Sequence, residues 1–266
     1  MKIGPDTNPT TKICGSNATT IIIRGHDLVE DLVGQISFTD HAWLLITGRL
    51  PSLAQRHILD ACLVAIAEHG LVPSVQASRM TLAAAPEAFQ GAIAAGLLGC
   101  GSVILGASEN AGKFAVEILN AGKDEETAIS EAVQALRSKK LPIPGFGHPL
   151  HKIGDPRALK LFELARQHGT YGDVCKIMHK TESLLETLLG RPLRMNISAA
   201  IPAVLLDAGY PLLALKGVPL LARTAGLIGH LLEEQQHGIG FTMSNAAASA
   251  ISYTGVAPEG FIADEN

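Results

Sequence analysis

Aromatic residues are scarce in this 266-residue chain, 4% in all with one tryptophan, while hydrophobic residues reach 47%. An interior of Leu, Ile, Val and Ala lets helices approach closely and favours helix-on-helix packing over a sheet sandwich. There is no basic run, and the net charge of −4 argues against a nucleic-acid surface. No stretch supplies the ~18 uninterrupted apolar residues of a membrane span, and no signal-peptide pattern opens the sequence. The mean hydropathy of +0.25 is therefore expected to be spent on a subunit interface. Cysteine is limited to Cys14, Cys62, Cys100 and Cys175, without metal-like spacing. Free thiols in a cytoplasmic protein are the expectation. A Gly-rich phosphate loop, a metal cluster and a nucleophile elbow are all missing.

What is present reads as helix after helix. Residues 1–18, rich in Pro, Thr, Asn and Gly, are expected to form an arm, and Thr19–Gly25 the one short strand. Helices are predicted over Phe38–Thr47, from Ser52 to Gly70, from Ser74 to about Ala84, and over Glu87–Leu98. Gly91, Ala92, Ala94, Ala95 and Gly96 in the last of these imply close packing. Beyond Ala107 the chain becomes more charged. Asp124 caps a helix with acids in its first turn and Arg137, Lys139 and Lys140 at its end, matching the helix dipole. Arg157–His168 and Asp173–Leu189 are amphipathic, and Ser198–Ala208 and Val218–Gln236 are core-like. The order apolar, amphipathic, apolar predicts a large helical domain from 1–106 and 196–266 with a small domain, 107–195, inserted. A cleft between them would be the natural ligand site.

The stretch Leu141-Pro-Ile-Pro-Gly-Phe-Gly-His148-Pro-Leu-His-Lys-Ile-Gly-Asp155-Pro-Arg157 departs from this pattern. Four prolines and three glycines shape its backbone. It is apolar where loops are usually polar. Its end, Asp155-Pro156, is an N-cap followed by proline at the first helical position. Such a loop around a central histidine suits a pocket wall; a packed interdomain loop is the alternative.

Three fragments in order resemble the citrate synthase superfamily over nearly the whole chain. They are Arg24-Gly-His-Asp-Leu-Val-Glu-Asp-Leu with Phe38-Thr-Asp-His-Ala-Trp and Gly48-Arg-Leu-Pro51; Pro144-Gly-Phe-Gly-His148 with Asp155-Pro-Arg157; and Ala222-Arg223-Thr-Ala-Gly-Leu-Ile-Gly-His230 followed by Glu233. The length places the chain nearer the compact citryl-CoA lyase branch, which includes the C-terminal module of ATP-citrate lyase. The resemblance implies an all-α fold with a large and a small domain, a homodimer or higher homo-oligomer, coenzyme A as thioester substrate or product, and no metal. It further implies carbon–carbon lyase chemistry that interconverts citryl-CoA with oxaloacetate and acetyl-CoA.

Such a cleavage needs a base for the hydroxyl proton, donors for the carboxylates, and stabilisation of the departing enolate. The resemblance assigns the hydroxyl to His148, whose titration near neutrality suits either direction. It places His69 in the active site; a polar residue ending a helix is the plain alternative. Arg223 lies in an apolar helix, where a charge is costly unless paired. A substrate carboxylate suits its bidentate fork, and a salt bridge within the protein is the rival. Two departures bear on mechanism. Ile104 stands where citrate synthases carry an enolate-stabilising histidine, as expected of the lyase branch. Ser198, after Asn196-Ile197, stands where the family has its catalytic aspartate. Serine is no base for an α-proton; it can donate a hydrogen bond, position water, or cap the next helix. Asn196 is carried over as substrate-binding. For coenzyme A the resemblance offers the backbone of Ile143, Gly145, Phe146 and Gly147, with Lys152 and Arg157 near the phosphates. Pro149 follows the motif histidine where relatives have arginine, and no late arginine follows Gly238. A substrate with fewer carboxylates, a retro-Claisen or hydrolytic reaction on another acyl-CoA, and a non-catalytic CoA binder therefore stay open.

Overall fold

A computed structural model describes residues 9–101, 107–147 and 154–260. The chain is all-α apart from one small antiparallel sheet, with strands β1 Cys14–Ser16, β2 Ile21–Ile23 and β3 His26–Asp27. The sheet corrects the expectation of an arm followed by a single strand. Cys14 pairs with Ile23 and Ser16 with Ile21, and the Arg24 amide donates to the Ile13 carbonyl. Polar residues with no alternation form β1 because β2 offers them a partner edge.

The helices are α1 Phe38–Thr47, α2 Leu53–Ala67, α3 Pro73–Ala84, α4 Phe89–Leu98, α5 Ala107–Leu119, α6 Glu125–Ser138, α7 Pro156–Gln167, α8 Asp173–Leu189, α9 Ile197–Asp207, α10 Gly217–Gln236 and α11 Gly240–Ser249. Most begin and end where the local chemistry says. Asp124 and Asp155 cap α6 and α7 through their carboxylates, and left-handed Gly48 and Gly190 close α1 and α8.

The chain divides into two compact units, 1–62 with 108–215, and 63–107 with 216–266. In the first unit α7 and α8 pack on α9, whose residues Ile197, Ala199–Ala203, Val204 and Leu205 are buried. Asp207, at the end of α9, accepts from the amides of Gly172, Val174 and Cys175 at 2.8, 3.0 and 2.9 Å. It supplies the N-terminal cap that α8 does not carry itself.

In the second unit α3, α4, α10 and α11 pack together. The small residues of α4 do what their pattern implied. A Cβ on Gly96 would stand 2.7 Å from the Leu227 side chain and 2.9 Å from the Ser74 carbonyl. By length and composition the run Leu212–Gln236 could cross a membrane. It carries the buried Arg223, buries Leu227 and Leu231, and exposes Leu213, Ile228 and Leu232. Cys62, Cys100 and Cys175 are buried free thiols and Cys14 is exposed; burial pushes the Cys62 and Cys175 thiols well above the ordinary range.

Candidate functional site

The candidate residues fall into two groups, one in each unit. His148 and Lys152 lie outside the described residues, as does Ile104.

In the first unit the Gly/Pro loop is fastened to the start of α9. Phe146 bridges Met195, the Gly147 amide donates to the Arg194 carbonyl at 2.7 Å, and the Asn196 amide to the Gly145 carbonyl at 3.0 Å. Gly145 and Gly147 are both left-handed, at φ +85 each, and a Cβ on Gly145 would stand 2.7 Å from that of Ala199. Glycine is therefore required at 145 on two counts. Ile143 and Phe146 bury their side chains in the unit, leaving backbone rather than side chain for recognition.

Asn196 is the hinge pin of this arrangement. Its amide nitrogen donates to the Gly147 carbonyl at 2.6 Å, and its oxygen accepts from the Ser198 amide at 2.8 Å. Asn196, not Ser198, is the N-cap of α9. That corrects the capping alternative for Ser198, which lies one residue inside the helix, half-buried. Pro202 has no N–H to offer the Ser198 carbonyl four residues earlier.

Asp155 is 1% exposed. It accepts from the Ile197 amide at 3.0 Å and from Arg157 Nε and Nη2 at 3.0 and 2.8 Å. Burial alone raises its carboxyl, but the Arg157 guanidinium and two backbone amides outweigh it and hold the group below the usual carboxylate range. Arg157, a candidate for phosphate contact, thus spends two of its nitrogens on Asp155.

The second unit contains two buried arginines. Arg223 on α10 is 2% exposed. Among the described residues one hydrogen bond holds it, from Nη2 to the Ile66 carbonyl at 3.4 Å, while Nε and Nη1 have no hydrogen-bond partner there. Glu68 Oε2 is 3.7 Å from Nη1, close enough for charge but not for a bond. His69 follows Glu68 just past the end of α2, exposed. The hydroxyl of Ser78, buried on α3, likewise has no hydrogen-bond partner among the described residues.

Arg79 on α3, 1% exposed, is the opposite case. Nε meets Glu234 Oε2 at 2.7 Å, Nη1 meets Glu233, and Nη2 donates to the His237 carbonyl at 3.3 Å. Sequence reasoning missed it. The signal was there: an arginine at the buried spacing of Val75, Ser78 and Leu82 needs a partner, as Arg223 does. Beside these acids lies a cavity of about 280 Å³, between Leu82, Pro86, Gly238 and Phe241. Among the described residues no group of three or more His, Cys, Asp or Glu is placed to hold a metal ion.

The family model "Citrate synthase, C-terminal domain" matches residues 52–240, so the chain belongs to the citrate synthase family. It is similar to the structure of citryl-CoA lyase from Hydrogenobacter thermophilus, at 30% identity and TM-score 0.85, covering 95% of this chain and 97% of that one. It shares the fold of ATP citrate lyase from Methanothrix soehngenii at TM-score 0.79 and 21% identity, covering 98% of this chain and 44% of that one. The Citrate/2-methylcitrate synthase of Bacillus subtilis (strain 168) is 28% identical over 207 residues, 75% of this chain and 53% of the relative. The chain thus spans about half the length of the curated relatives it matches.

Proposed function

We propose that the chain is a carbon–carbon lyase acting on a CoA thioester, cleaving citryl-CoA to oxaloacetate and acetyl-CoA. The observation that carries this reading is Arg223: a buried guanidinium whose Nε and Nη1 lack hydrogen-bond partners among the described residues. Glu68 offsets its charge from 3.7 Å without bonding it, so hydrogen-bonding capacity is left over, and a ligand carboxylate supplies the missing acceptors. Similarity to a citryl-CoA lyase across almost all of both chains favours the lyase over a synthase.

His148 takes the hydroxyl proton of the substrate as the carbon–carbon bond breaks and the hydroxyl carbon becomes the ketone of oxaloacetate. The bonding electrons leave as the thioester enolate, which takes its proton at carbon from water, and His148 returns the hydroxyl proton to solvent. In this direction no base is needed for an α-proton, so a serine at position 198 is tolerable. Its hydroxyl can donate to the enolate oxygen. Arg223 holds a carboxylate and His69 the other polar end of the acid. Asn196 acts by anchoring the loop that carries His148 to α9. The backbone of Ile143, Gly145, Phe146 and Gly147 receives the adenine, with Lys152 and Arg157 toward the phosphates. The exposed Leu98, Leu213, Leu232 and Phe241 fit burial in a homodimer or higher homo-oligomer.

The test is cleavage of synthetic citryl-CoA, read as oxaloacetate release, with His148→Ala in parallel. Release by the wild type that is lost in the variant is expected; a variant as fast as wild type overturns the role of His148. Ser198 and the missing late arginine favour a second reading, a retro-Claisen or hydrolytic reaction on another acyl-CoA. CoA binding without citryl-CoA cleavage would support that, or a non-catalytic CoA binder.

A further inference from the structure

The carboxylate site already has a carboxylate of the protein's own beside it. Glu68 Oε2 stands 3.7 Å from Arg223 Nη1, an ion pair that stops short of a hydrogen bond. A shift of about 1 Å would let Glu68 bond the fork and close it to any ligand. What prevents the shift can be read from its other contacts. His230 Nε2 is 2.9 Å from the same oxygen, and the Gly70 amide donates to the other oxygen of Glu68.

His230 is itself oriented from behind. Its Nδ1 lies 3.4 Å from Arg79 Nη1. An arginine N–H can only donate, so a hydrogen bond here makes Nδ1 the acceptor and assigns the ring proton to Nε2, aimed at Glu68. Arg79 in turn is fixed by Glu233 and Glu234. The geometry of α10 makes the arrangement compact. Arg223 and His230 are seven residues apart, two turns on one face, and Gly226 lies between them. A Cβ on Gly226 would run into the Ala67 carbonyl and come within 3.2 Å of Glu68 Oε2. The end of α2 drops into the gap that Gly226 leaves, which brings Glu68 between the arginine and the histidine.

We propose that His230 is a positioning residue that latches Glu68 away from Arg223, so that an internal carboxylate neutralises the arginine at a distance while two nitrogens of its fork stay unbonded for the substrate acid. Glu68 is then a built-in competitor for the substrate carboxylate, restrained by His230 and the Gly70 amide. The proposal rests on Arg223 being the carboxylate site. It goes beyond that reading by assigning His230 and Glu68 opposed effects on affinity.

The experiment is titration of oxaloacetate into the full-length protein, wild type and variants, with a thermal melt of each. Arg223→Met tests the underlying reading: loss of binding supports it, and unchanged binding removes it along with the latch. The latch predicts that His230→Ala, freeing Glu68, weakens oxaloacetate roughly tenfold. His230→Gln, which keeps an N–H directed at Glu68, recovers most of that loss. Glu68→Ala binds oxaloacetate at least as tightly as wild type, a gain that misfolding cannot produce. The double variant Glu68→Ala/His230→Ala returns to within about threefold of wild type. The latch is overturned if Arg223→Met abolishes binding while Glu68→Ala also weakens it, or if the double variant binds no better than His230→Ala.

Discussion

Arg79 and Arg223 sit in the same unit, are equally buried and carry the same side chain, yet one is finished and the other is not. Arg79 has two carboxylates and a carbonyl around its guanidinium. Arg223 has one long bond to a carbonyl and a carboxylate kept at 3.7 Å. A protein built only for stability would complete both, because a buried donor left without an acceptor costs free energy. The difference sets a satisfied ion-pair network apart from a guanidinium with nitrogens to spare, and it is what the proposed carboxylate role of Arg223 rests on.

That contrast is open to breakage at several points. The largest expected effect is on Arg79→Met, which strands Glu234 as a buried carboxylate and should cost about 3–5 kcal/mol in denaturant unfolding. Arg223→Met should change stability by less than about 1 kcal/mol, because Glu68 is half exposed and keeps His230. Equal losses in the two variants would erase the distinction.

Asp155 with Arg157 provides a third case on the structural side. Asp155→Asn should cost on the order of 1.5–3 kcal/mol at neutral pH. The sign with pH follows from the lowered carboxyl. Its contribution is present above the unfolded value of about 3.9 and is lost as pH falls through the lower folded value. Wild type should therefore lose stability on acidification below about pH 5, and the variant should show a flatter curve over that window in acid titration followed by circular dichroism.

In the same unit as Asp155, Gly145→Ala combines a left-handed backbone with contact against Ala199 and should cost about 1–3 kcal/mol, read from the thermal midpoint. The exposed pair Lys123–Glu131 at 2.6 Å is the control. Lys123→Ala should change stability by no more than about 0.5 kcal/mol, although its contact is as short as that of Arg79.

Much of the fold could be read from the chain because its signals are local. Asp124, Asp155-Pro156, Gly48 and Gly190 cap or stop helices through groups within four residues of the helix end. What escaped was set at long range. The cap of α8 comes from Asp207, more than thirty residues away in sequence. The start of α11 is held by the Glu234 carboxylate, which accepts from the Ile239 and Gly240 amides; the segment Gly240-Phe-Thr-Met-Ser-Asn has no cap of its own. Strand β1 exists only because β2 faces it.

The candidate site divides the same way. Arg223 announced itself as a charge within an apolar helix, and the Gly/Pro loop by its composition. The committed side chain of Asn196, the Arg157–Asp155 pair and the Arg79 network could be seen only once partners distant in sequence were brought together. Ser198 illustrates the limit most clearly: a serine beside a helix start reads as a cap, and the neighbouring asparagine takes that place instead.

The most direct test of the account is the affinity for oxaloacetate of wild type against Arg223→Met, both shown to melt at the same temperature. An open guanidinium fork predicts a loss of about 100-fold in the variant, in the range for truncating one partner of a buried charged contact. Equal affinities in two equally stable proteins would contradict it, and would return Arg223 to the structural class that Arg79 occupies.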